Sequence, residues 1–334
     1  MNQDYLKSVP SIVQNFLLYQ STIRNKSEAT IDEYCLDLRL FLKYVYCSRN
    51  NIDVSDDEAF ESTDITSLSV EFIKQISLID TYQFLSYCKD KRDNHEKARA
   101  RKVSCIRSFF KYLKMNGIID DNPMINLDTP KLKKSLPKYL TVEQAQDLLR
   151  AVSGPNRARD YCIITFFLNC GMRLSELVSI DYNKIRIDED SATVVITGKG
   201  NKERTVYLNQ ACLSALSAYM AVRPKDGVID RYALFLSNRL TRISPKTVQH
   251  MVEQYLEKIG LGGQGYSVHK LRHTAATLMY QTGKVDLLEL KEILGHENLN
   301  TTQIYTHLFD SKLKNAVDAN PLSTFEAKPK KESE

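Results

Sequence analysis

SVHKLRHTAATLMYQTGKVDLLELKEILGHENLNTTQIYTHL, residues 267–308, is the stretch on which the reading of this chain turns. His269 and Arg272 lie three apart, so on a helix they share one face. His296 follows a Leu–Gly turn, and Tyr305 comes nine residues after it. Together these are the parts needed to hold a phosphodiester and attack it with a phenol.

Two more groups belong to the same chemistry. Arg173, in CGMRLSEL (170–177), follows Gly171 at a helix junction, where anion sites form. With Arg272 it supplies two guanidinium forks for one phosphate. Lys199, in ITGKGNKERTVYL (196–208), has glycine on both sides, so a tight hairpin can project it toward a leaving 5′-oxygen. His269 and His296 can donate to the phosphate or move protons. Tyr305 is the candidate nucleophile. A free phenol titrates near about 10, so about 4 kcal/mol separates it from its phenolate at neutral pH, and nearby cations or a base must help. His273 and His307 flank the motif and read as packing groups. Each residue alone is weak evidence; the combination and its order carry the weight. No metal constellation is visible in the sequence and no cofactor is expected, because fixed Arg and His donors can carry the transition-state charge.

The bulk numbers fit such a protein. Its 334 residues, 43% of them hydrophobic, suffice for one large domain or two ordinary ones. No apolar run is long enough to span a membrane, and the N-terminus lacks a secretory pattern. Seven scattered Cys without a CxxC pair fit a reducing cytoplasm. The net charge is only +5, but its distribution is uneven. Residues 89–114 hold ten basic against three acidic residues, whereas 53–71 hold seven acids and no base.

Residues 10–48 read as two helices, 50–69 as an acidic loop or tolerated surface insertion, and Asp80 as the opening of a third helix. A fourth helix, capped by Asn94 and ended by Gly117, should bury Val103, Ile106, Phe109, Phe110 and Leu113. Arg99, Arg101, Lys102 and Arg107 on its other face are the candidate DNA contacts, as phosphate or base readers. Lys202 and Arg204, beyond the Gly turn, are expected on the DNA backbone. Pro123, Pro130 and Pro137 mark a connector, 119–139, between a helical domain at 1–118 and a second domain at 140–320; twenty extended residues reach roughly 60 Å. The second domain reads as helices around three strands, NKIRI, ATVVIT and ERTVYL, with further helices at about 210–222, 245–259, 268–282 and 286–294. Residues 321–334 read as a disordered tail.

The stretches GMRLSELVSI, VVITGKGNKERTVYL, VHKLRHTAATLMYQTG and LKEILGHENLNTTQIYTH resemble the tyrosine recombinases, the phage integrase family, in their Xer group. The likeness covers nearly the whole chain and is dense from about 140 to 310. Residue 268 is Val where many relatives carry Pro, a small departure. The resemblance implies a mainly α fold with a small antiparallel β-sheet. A helical core-binding (SAM-like) domain and an α+β catalytic domain would close as a C-shaped clamp on DNA. It implies that Arg173, Lys199, His269, Arg272 and His296 form the catalytic pocket, that Glu176 supports it, and that Tyr305 forms a 3′-phosphotyrosyl bond to DNA. The partners implied are double-stranded DNA at a specific site, three further protomers of the same or a second Xer-type recombinase on two duplexes, and a septal DNA translocase; no membrane is implied. The segment LFDSKLKNAVDAN (308–320) would dock on a neighbouring protomer. Resolution of chromosome dimers is the first reading of the role, and integration or excision of a mobile element the second. An inactive DNA-binding protein, which should lack a pocket residue, and a type IB topoisomerase fit less well.

Overall fold

The protein is described by a computed structural model covering residues 3–131, 138–188, 191–197 and 203–295. Lys199, Lys202, His296, Tyr305, the 308–320 segment and the 321–334 tail lie outside the described residues. The chain divides into two compact units between Lys134 and Ser135.

The first unit is helical: α1 (Gln3–Lys7), α2 (Ser11–Thr22), α3 (Glu28–Arg49), α4 (Asp57–Ser62), α5 (Val70–Lys74), α6 (Leu78–Asp90) and α7 (Glu96–Met115). The helical-period stripe of α7 is buried as expected, Val103, Ile106, Phe109, Phe110 and Leu113 all being closed to solvent. They meet Phe16 of α2 and Leu38 and Phe41 of α3 in one core. Phe109 packs edge-on to Phe16 at 5.3 Å between ring centres.

Four expectations need correcting here. The 50–69 stretch is not a loop throughout: Asp56 caps α4 with its carboxylate, and Phe60 and Ile65 are buried in the core. Helix α6 starts at Leu78, capped by Ser77, and Asp80 is the reciprocal member of that capping box. Asn94 is not the cap of α7, which begins after His95 with no side-chain cap. Of the connector read over 119–139, Ile119, Met124 and Leu127 pack into the first unit's core, so this part of it belongs to that unit.

The second unit holds α8 (Val142–Arg150), α9 (Arg157–Cys170), α10 (Leu174–Val178), β1 (Ile185–Ile187), β2 (Ala192–Thr197), β3 (Glu203–Tyr207), α11 (Gln210–Val222), α12 (Pro245–Lys258), α13 (Val268–Gln281) and α14 (Leu287–Leu294). The strands form an antiparallel sheet in the order β1-β2-β3, with Val194 opposite Val206 and Ile196 opposite Arg204. Ten of the fourteen residues of α9 are buried, so this helix is wrapped on most sides, packed against α11 and α13, and the core forms around it. A mainly helical chain with one small antiparallel sheet matches the fold class expected from the sequence. Among the described residues no helix is long and apolar enough to cross a membrane.

Candidate active site

Two glycine elbows build the site. Helix α9 ends at Gly171, in the left-handed region at φ 59°, and the reversal delivers Arg173 as the residue that precedes α10. Helix α14 ends the same way at Gly295, φ 63°. The elbows touch: a Cβ on Gly171 would lie 2.8 Å from Leu294 Cδ2. Glycine is therefore needed at 171 for both backbone angle and space.

Around this junction the fold gathers Arg173, Glu176, Arg204 and Arg272. Glu176, on α10, is only 1% exposed. Its carboxylate accepts from the Arg173 backbone N–H at 2.7 Å and from Arg173 Nη1 at 2.7 Å. It also accepts from Arg204 Nη2 at 3.0 Å, and Arg272 Nη1 stands 3.7 Å away. Burial opposes ionisation of this carboxyl, but the Arg173 backbone N–H, the Arg204 charge and the two guanidinium hydrogen bonds outweigh it and hold its pKa below the ordinary range.

The guanidinium groups also grip the end of α14. Arg272 donates from Nη1 to the Gly171 carbonyl at 2.8 Å and from Nη2 to the Leu294 carbonyl at 2.6 Å. Arg173 donates from Nη2 to the Gly295 carbonyl at 2.8 Å. Arg204 donates from Nη1 to the Ile293 carbonyl. Three consecutive carbonyls at a helix C-terminus, the electronegative end, are thus taken by three arginines from three different elements.

His269 lies in the first turn of α13, its ring edge-on to His273 at 4.6 Å between centres. Burial is the main cause that lowers its pKa, followed by the charges of Arg272, Lys270 and Arg173. The ring is therefore biased toward its neutral form, able to accept a proton at one nitrogen and donate at the other.

The structure brings together Arg173, Glu176, His269 and Arg272 from the residues expected at the site. It moves two expected DNA contacts elsewhere. Arg204 is not aimed at solvent but turned inward onto Glu176, its side chain 16% exposed. Strand alternation carries the signal: Arg204 shares a face with Val206, which is buried. Lys102 is buried in the first unit and donates to Asp37 at 2.7 Å, with Arg101 on the other carboxylate oxygen at 2.7 Å. A lysine closed off by an ion pair cannot reach DNA without losing it. Arg99 donates to the Asn94 carbonyl at 2.6 Å. Arg107 is exposed and lines a cleft of about 500 Å³ with Arg24, Lys26 and Lys111.

With this helical fold and its Arg–Glu–His–Arg cluster in view, residues 138–312 match the model of the phage integrase family. The chain belongs to that family, the tyrosine recombinases. It is 50% identical to "Tyrosine recombinase XerC" of Caldanaerobacter subterraneus subsp. tengcongensis, over 94% of this chain and 88% of that protein. It is 33% identical to the protein of the same name in Pelotomaculum thermopropionicum, over 90% and 95% of the two chains. Among solved structures it is similar to XerH site-specific recombinase bound to a palindromic difH substrate in a post-cleavage complex. There the TM-score is 0.69 with 25% identity, covering 92% of this chain and 84% of that one.

Proposed function

We propose that the chain cuts and rejoins double-stranded DNA at a specific site through Tyr305, and that its cellular task is the resolution of chromosome dimers. The observation that supports this most is the convergence of Arg173 and Arg272, from distant parts of the sequence, on one buried carboxylate, that of Glu176. The relatives that carry the Xer name support the choice of task. In this reading Arg173 and Arg272 hold the scissile phosphate, and His269 and His296 donate to it or move protons. Lys199 protonates the leaving 5′-oxygen, and Glu176 orients the arginines. Tyr305 attacks phosphorus, the P–O5′ bond breaks, and the 3′-phosphotyrosyl ester keeps the free energy of the broken bond, so a 5′-hydroxyl can reverse the step without ATP. No step calls for a metal or cofactor.

Assembly belongs to the same proposal. Four protomers act on two duplexes in the cytoplasm, with a second Xer-type recombinase as partner and a septal DNA translocase as activator. DNA is read by the face of α7 that carries Arg107, beside Arg24, Lys26 and Lys111.

The test is covalent trapping on a nicked suicide duplex whose site is selected by its binding to the wild-type chain. Wild type should give an adduct that maps to Tyr305, and Tyr305→Phe should bind the duplex equally and give none. Cleavage by Tyr305→Phe would assign the nucleophile elsewhere, and binding without any wild-type adduct would leave a DNA-binding protein.

A further inference from the structure

Arg204 lies apart from the residues to which the reaction assigns roles, yet it is bound into the centre of the pocket. From β3 it reaches two groups at once: the Glu176 carboxylate at 3.0 Å through Nη2, and the Ile293 carbonyl through Nη1. The first is the same carboxylate that fixes the backbone and the fork of Arg173. The second belongs to the last turn of α14, whose next two carbonyls are held by Arg272 and Arg173. The Arg204 stem also shapes the elbow that follows. A Cβ on Gly295 would meet Arg204 Cδ at 2.7 Å and Nε at 2.8 Å. Gly295 immediately precedes His296.

We infer that Arg204 is a positioning residue for DNA cleavage: it locks the Glu176 carboxylate and the end of α14 to the sheet, and thereby sets the Arg173 fork. The role rests on the recombinase reading above. Three guanidinium groups crowd one helix end with one carboxylate among them, and in such a network each charged group depends on the partners it keeps. Without Arg204, the buried Glu176 carboxylate loses one of its charged partners, a loss that is costly where water is scarce, and the Ile293 carbonyl loses its donor. The Arg204 Nε is already buried without a hydrogen-bond partner among the described residues. The structure thus accepts an unsatisfied donor to keep this fork aimed at Glu176 and Ile293. Only a planar fork spans both acceptors; an ammonium on a flexible stem reaches one at a time.

The experiment measures single-turnover adduct formation and DNA affinity on the suicide duplex selected by the wild-type chain. Arg204→Met should slow adduct formation at saturating DNA by about 10- to 100-fold, the size of effect produced by a reacting group misplaced by about 1 Å. Affinity should be unchanged. Arg204→Lys, which keeps the charge without the fork, should fall between Arg204→Met and wild type. Arg204→Met combined with Glu176→Gln should be no slower than the slower single variant, because both act through one carboxylate. Weakened affinity with an intact saturated rate would overturn the role and return Arg204 to the DNA backbone. Losses that multiply fully in the double variant would also overturn it. If Arg204→Met does not fold, Arg204→Lys decides, and a wild-type rate from it overturns the inference. Absence of any wild-type adduct overturns the recombinase reading first, and this role with it.

Discussion

At the scale of single residues, His269 offers a direct readout of its surroundings. Burial chiefly, then Arg272, Lys270 and Arg173, lower its pKa in the folded chain. The unfolded chain binds this proton at the ordinary value of about 6.5, and the folded chain binds it only at lower pH. Between those two values the unfolded state holds more protons, so stability falls as pH drops through about 6.5, and the loss is complete below the folded pKa. Thermal unfolding from about pH 8 down to about pH 5 should show that decline, and His269→Gln should flatten it. An unaltered profile in the variant would remove His269 as the cause. Arg173, His269 and Arg272 stand out by order and spacing because they sit in dense local motifs, whereas Glu176 enters only through the family resemblance. The direction of Arg204 was not, because a cation beside a glycine turn suggests solvent. Only its pairing on one strand face with Val206 shows that it points inward.

Helices and strands were recovered where a periodic apolar pattern ran long enough to fix them. Helices α11 to α14 and strands β1 to β3 fall close to their expected limits for that reason. Helix α4 was invisible because six residues contribute only Phe60 to the core, too few to show a period. The start of α6 was misplaced because Ser77 and Asp80 are both cap-forming types three apart, and only the reciprocal bonds show which one caps. On α7, periodicity separated the buried stripe from the charged face, but could not show that Lys102 meets Asp37, 65 positions away. This pairing ties α7 to α3. Removing the carboxylate with Asp37→Ala should cost about 3–5 kcal/mol, since Lys102 would stay buried without a counter-charge. Replacing both members by apolar residues, Asp37→Leu with Lys102→Met, should recover most of that loss. Denaturant unfolding of the two variants checks this, and equal losses would mean that the pair is not what joins these helices.

For the molecule as a whole, the decisive feature is that each unit owns a hydrophobic core: Phe16, Phe41, Phe84 and Phe109 anchor one, and Phe166, Phe167 and Phe235 the other. A chain of this kind is expected to open unit by unit. The seven thiols, all unpaired and all buried, are divided between the cores. Cys35, Cys47, Cys88 and Cys105 lie in the first unit, and Cys162, Cys170 and Cys212 in the second. Burial pushes Cys35 and Cys88 up to about 11 and raises Cys105 as well. Little reactive thiolate exists there while the fold is intact. Because all seven sulfurs are buried, alkylation should proceed at the pace of opening, with four sulfurs modified as one group and three as another when mass is followed over time. Modification of all seven as one group would mean that the units open together. The cysteines, silent in the chemistry at the phosphate, thus act as two built-in clocks, one for each half of the chain.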